Sequence, residues 1–107
     1  MTRLAAALAL LVTSAAFAAD EPQFNLAIEN HKFSPDRLEI PAGTKVKLIV
    51  DNKDATPEEF ESQALKIEKV IPGKSKATIF VGPLKAGEYK FVGEFNEKTA
   101  KGVIVAK

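Results

Sequence analysis

The chain has 107 residues, a net charge of +1, a single histidine and no cysteine. That length bounds it to one small domain, and the missing cysteine excludes disulfides and thiolate metal ligands together. The lysines are scattered without interleaved aromatics, so nothing points to nucleic acid. At the start, Arg3 gives a short positive lead, residues 4–12 are an apolar run, and Ala16-Phe17-Ala18 is a small-x-small cleavage site. These features predict a signal peptide over 1–18 and a single exported domain over 19–107. The apolar run falls short of the about 20 residues that a spanning helix needs, so no direct membrane insertion is expected after cleavage. No cysteine follows the run to carry a lipid, and Met1, the sole methionine, leaves with the signal peptide.

Beyond Pro22, short alternating segments follow one another. Phe24, Leu26 and Ile28 share one face of a strand, and Leu38 and Ile40 make a brief second one. Val46, Leu48 and Val50 mark a third, residues 65–71 a less regular fourth, and Ala77, Ile79 and Val81 a fifth. Tyr89 with Phe91, and Val103 with Val105, complete the series. Period-2 alternation with one apolar face is the pattern of half-buried strands. Pro41-Ala42-Gly43-Thr44, Ile71-Pro72-Gly73-Lys74 and the run from Gly82 to Gly87 are turns by composition. About seven short strands with regular turn signals predict an all-β protein, an antiparallel β-sandwich. One segment breaks the alternation. In Thr56-Pro57-Glu58-Glu59-Phe60-Glu61 the threonine can cap, Pro57 suits a first helical position and Glu59 completes a capping box. A short helix near 57–62 is therefore predicted.

The segment Gly87-Glu-Tyr-Lys-Phe-Val-Gly93 and its continuation to Gly102-Val-Ile-Val105 resembles the metal-ligand loop of a cupredoxin. Phe33-x-Pro35 with Ile40-Pro-Ala-Gly43 and Val46-x-Leu48 resembles the opening of the same family. The resemblance implies a cupredoxin-like Greek-key sandwich. By the family pattern, Gly93 stands where the copper-binding Cys belongs, Asn96 where a His belongs, and Thr99 or Ala100 near the Met. Glu58 follows Pro57 where the first His would stand. Without thiolate or thioether, a type 1 blue copper site is excluded on chemical grounds.

A narrower resemblance rests on Asn52-x-Asp54-x-Thr56-Pro-Glu-Glu-Phe-Glu-Ser62, Glu68-Lys-Val70, Val81-Gly-Pro-Leu84, and Gly93-Glu-Phe95 with Thr99-Ala100-x-Gly102. Together these resemble the periplasmic cupredoxin-like proteins associated with bacterial high-affinity iron permeases. That resemblance implies a role in ferrous-iron uptake beside a membrane iron permease and other periplasmic uptake proteins, with an iron or copper ion as the species handled. Members often carry His after Gly-Glu-Phe, and this chain has Asn96 there.

Six residues are candidate metal ligands: His31, Glu58, Glu59, Glu61, Glu94 and Asn96. A neutral imidazole at His31 suits Cu(II), Fe(II) or Zn(II), and the same residue also reads as a surface or hydrogen-bonded loop histidine. The glutamates are hard oxygen donors suited to iron or manganese, or else a helix cap and a solvated face. Three functions follow: an iron-uptake accessory protein that binds metal at one pole, a metal-free interaction module of the same complex, or a ferroxidase.

Overall fold

A computed structural model describes residues 21–107, and the expected signal peptide over 1–18 lies outside them. The alternating segments become nine strands: β1 (Gln23–Glu29), β2 (Lys32–Ser34), β3 (Arg37–Ile40), β4 (Val46–Asn52), β5 (Glu58–Ser62), β6 (Ile67–Ile71), β7 (Ser75–Val81), β8 (Gly87–Gly93) and β9 (Lys101–Ala106). Among the described residues one 3-10 turn, Glu94–Asn96, joins the β8 end to the last loop. One sheet runs β2-β1-β4-β7 and the other β3-β9-β8-β5-β6. The expected all-β sandwich is what forms, two sheets of four and five strands.

The direction of two pairings differs from the all-antiparallel expectation. β1 lies parallel to β4, with Leu26 opposite Val50, and β3 lies parallel to β9, with Leu38 opposite Ile104. A hairpin joins antiparallel neighbours, whereas parallel neighbours need a longer crossover. Here the crossover is the opposite sheet: the chain leaves β1 and β2, lays down β3 across the sandwich, and returns as β4.

β4 is an inner strand of its sheet, and Val46, Leu48, Val50 and Asn52 point inward on every second residue. Leu26 and Ile28 of β1 and Ile79 and Val81 of β7 lie on the same inner face. The second sheet presents Leu38, Ile40, Phe60, Ile71, Phe91 and Ile104 to them. At the centre Phe33 meets Phe91 edge-on at 4.8 Å between centroids, and Phe60 stacks on Phe91 at 5.0 Å. Both geometries suit the ring quadrupole.

The helix expected near 57–62 is instead strand β5. Glu58, Phe60 and Ser62 are buried while Glu59 and Glu61 are half-buried on the opposite face. Non-local pairing decides this. β5 bonds to β6 along its whole length and to β8 at Phe60 and Glu61. Burying Phe60 contributes about 2–3 kcal/mol, and the ladder closes backbone groups that a two-turn helix would leave open at both ends. The local capping preference is worth less than that sum. The carbonyl of Thr56 does not start a helix; it accepts from the buried Asn52 amide at 2.9 Å. The other strand missing from the alternation is β2, three residues long, with only Phe33 buried.

Candidate functional site

The β1–β2 hairpin, the start of β5 and the turn after β8 lie at one end of the sandwich. Asn30 and His31 form the two-residue hairpin loop, both at positive φ (54° and 56°). That is the twist a two-residue hairpin favours. The Asp54 carboxylate clamps the loop, accepting from the Asn30 N–H at 2.8 Å and the His31 N–H at 3.0 Å. The His31 amide first, then the Asn30 amide and the charges of His31 and Lys74, hold the Asp54 carboxyl below the usual range, outweighing its loss of water contact. The His31 Nδ1 lies 3.7 Å from Asp54 Oδ2, and the ring stays about half exposed (47%). His31 shares a shallow hollow with Glu94, Phe95, Asn96 and Thr99.

Strand β5 splits the acidic run by parity. Glu58 points inward and is 1% exposed. Its Oε1 accepts from the Phe95 N–H at 2.9 Å and the Glu59 N–H at 3.0 Å, and its Oε2 accepts from the Asn96 Nδ2 at 2.6 Å. Asn96 therefore spends its side-chain donor on Glu58. Beside them Gly93 has no room for a side chain: a Cβ there would lie 2.6 Å from Glu58 Cδ and 2.7 Å from the Ala100 Cβ.

Glu59 and Glu61 emerge on the outer face of the second sheet. Glu61 lies directly opposite Glu68 across the β5–β6 pair. One carboxylate oxygen from each of Glu59, Glu68 and Glu94 falls within 4.8 Å of the others. Loss of water contact, then hydrogen bonding and repulsion from Glu94, then repulsion from Glu68 and Glu61, push the Glu59 carboxyl above the usual glutamate range. Glu61 is pushed up as well, by lost water contact first and then by Glu94, Glu68 and Glu97. Like charges this close favour a proton or a cation among them.

The six sequence candidates thus fall into three places. Glu58 and Asn96 pair inside. Glu59, Glu61 and Glu94 gather outside. His31 lines the neighbouring hollow and lies outside the 4.8 Å grouping. Glu68 joins the outer group and stood in the sequence reading as part of the Glu68-Lys-Val70 motif, not among the candidate ligands. Its place follows from the β5–β6 register, which no local pattern carries.

A family model described as the cupredoxin-like domain matches residues 2–106. An uncharacterized protein of Rickettsia prowazekii (strain Madrid E) is 41% identical over 83 residues, spanning 78% of this chain. The chain covers 66% of that relative's length. Among solved structures, auracyanin A, a blue copper protein from Chloroflexus aurantiacus, superposes with a TM-score of 0.70 at 13% identity, over 82% of this chain and 100% of that one. A purple cupredoxin from Nitrosopumilus maritimus gives 0.59 at 21% identity, over 78% and 98%. An amicyanin variant in its Cu(I) form gives 0.66 at 15% identity, over 79% and 82%. At these identities the structural likeness establishes the fold.

Proposed function

Because the chain belongs to the cupredoxin-like domain family, we propose that it is a periplasmic accessory protein of ferrous-iron uptake, holding a hard cation on carboxylates at one pole and acting beside a membrane iron permease. The family's copper chemistry does not transfer. Solved relatives are described as copper proteins, but this chain has no cysteine, and by the family resemblance the copper-ligand positions hold Glu58, Gly93, Asn96 and Thr99 or Ala100. Glycine and alanine offer no donor atom, so the set does not fit a type 1 centre. The observation that carries the reading is the grouping of Glu59, Glu68 and Glu94 within 4.8 Å. Oxygen donors of this kind suit iron(II) and manganese(II). Export is supported by the leader-like residues 1–18, and the permease by the resemblance of the motifs at 52–62, 81–84 and 93–102 to those of iron-permease-associated proteins. Among the described residues, no helix is long and apolar enough to cross a membrane.

Anaerobic calorimetric titration of the purified protein with Fe(II) and Mn(II) tests the metal part. Glu59→Gln with Glu68→Gln is expected to weaken binding about tenfold or more. Wild-type affinity no tighter than about millimolar ends the metal-binding reading.

A second reading, a metal-free interaction module of the same complex, is favoured by the Glu58–Asn96 pair, which uses two of the expected ligands on each other. It predicts that deleting the gene impairs iron uptake while the Glu59→Gln, Glu68→Gln protein restores it in full.

A further inference from the structure

By the family resemblance, the copper-ligand positions fall at Glu58, Gly93, Asn96 and Thr99 or Ala100, and they are not a cavity with its ligands removed. Glu58, Gly93, Asn96 and the buried Ala100 close on one another. The Glu58 carboxylate takes three hydrogen bonds, two from backbone amides and one from Asn96. The Gly93 N–H donates to the Ala100 carbonyl at 2.9 Å, and the Ala100 N–H donates to the Asn96 carbonyl at 2.8 Å. Ala100 is fully buried. The space a side chain at 93 would need is taken by Glu58 Cδ at 2.6 Å, Ala100 Cβ at 2.7 Å and Glu58 Oε2 at 2.9 Å.

We infer that the copper position of this fold is here a metal-free carboxylate lock, in which the Glu58 side chain occupies the space of a metal ligand and fastens β5 to the β8–β9 loop. A carboxylate accepting two or three donors has its lone pairs directed at protein groups. Glu58 itself is 1% exposed, whereas Phe95 is half exposed and Asn96 and Glu59 are half-buried, so a cation reaching the carboxylate would have to displace three part-buried hydrogen bonds. Each replacement fits the others: glycine at 93 makes room for Glu58, Asn96 supplies a donor where a histidine would supply a lone pair, and Ala100 closes the wall. Copper is kept out by occupancy as well as by the lack of sulfur. Restoring one ligand would not restore the site.

Two measurements on the purified protein test the lock, and neither depends on the outer carboxylates. The first is unfolding by urea in the presence of a chelator. Asn96→Ala removes one donor and is expected to lower the midpoint without any metal present. Gly93→Cys is expected to lower it too, and by less when Glu58→Ala is already in place. An unchanged midpoint for Asn96→Ala, or strictly additive effects for the other pair, overturns the lock. The second is Cu(II) and Mn(II) titration. Glu58→Gln and Asn96→Ala are expected to leave either affinity within about twofold of wild type, including where wild type binds neither ion. A loss of about tenfold in either variant makes Glu58 or Asn96 a ligand and overturns the inference. Weakening confined to Glu59→Gln and Glu68→Gln bears on the outer carboxylates alone and agrees with the lock.

Discussion

At the scale of single residues, the polar groups inside the sandwich are structural before they are chemical. Asn52 is fully buried on the last inward position of β4. Its amide donates to the carbonyls of Thr56 at 2.9 Å, Ile71 at 3.1 Å and Pro72 at 3.3 Å, and its Oδ1 accepts from the Asp54 N–H at 3.1 Å. One side chain thus satisfies both loops that flank the β5–β6 pair. Asn52→Ala leaves those groups without partners, and buried groups in that state cost about 1–3 kcal/mol. Urea unfolding should register that loss. Sequence reading placed Asn52 inside a shared motif without seeing this work, because its partners lie up to 20 residues away. Glu58 was legible as the residue at a ligand position. That it points inward was not, since a helix and a strand aim it differently.

At the scale of elements, β5 and β6 place like charges opposite each other. Glu61 faces Glu68 in register, with Glu59 and Glu94 adjoining. Like charges directly across a ladder destabilise it. The Glu59 and Glu61 carboxyls are raised in the folded state, so the folded protein binds protons more tightly than the unfolded chain. Stability therefore falls as pH climbs through and above the ordinary carboxylate range, near about 4, and is regained on acidification. Glu61→Gln is expected to raise the thermal midpoint at pH 7, with the gain fading as the pH drops toward that range. A scan of Tm against pH for both proteins checks this, and a constant offset would contradict it. Asp54 acts with the opposite sign. Its carboxyl is lowered, so the hairpin clamp is in full strength above the ordinary aspartate range and is lost as pH falls through the lowered value. The element-level error at 57–62 has the same root as the missed role of Glu68. Capping signals are local, while strand pairing joins β5 to residues such as Gly93 that lie far along the chain.

For the whole molecule, the core is a packing of apolar side chains from both sheets. Phe33, Phe60 and Phe91 fill the middle, and the family's metal position is spanned by hydrogen bonds among Glu58, Phe95 and Asn96. A chelator is expected to leave the unfolding midpoint unchanged. A cation that binds the outer carboxylates stabilises by mass action, about 2.7 kcal/mol at a hundred times its Kd, so Mn(II) should raise the midpoint in a concentration-dependent way. A midpoint that falls on chelation would mean the fold depends on metal. The all-β character, most of the strands and the absence of sulfur ligands follow from alternation, turn residues and residue type, which are written locally. That Glu58 turns inward against Gly93 and Asn96, while Glu59 and Glu61 turn outward to meet Glu68 and Glu94, emerges once the sheets assemble. The side a strand residue faces depends on which strands it pairs with, and that pairing is made between distant segments.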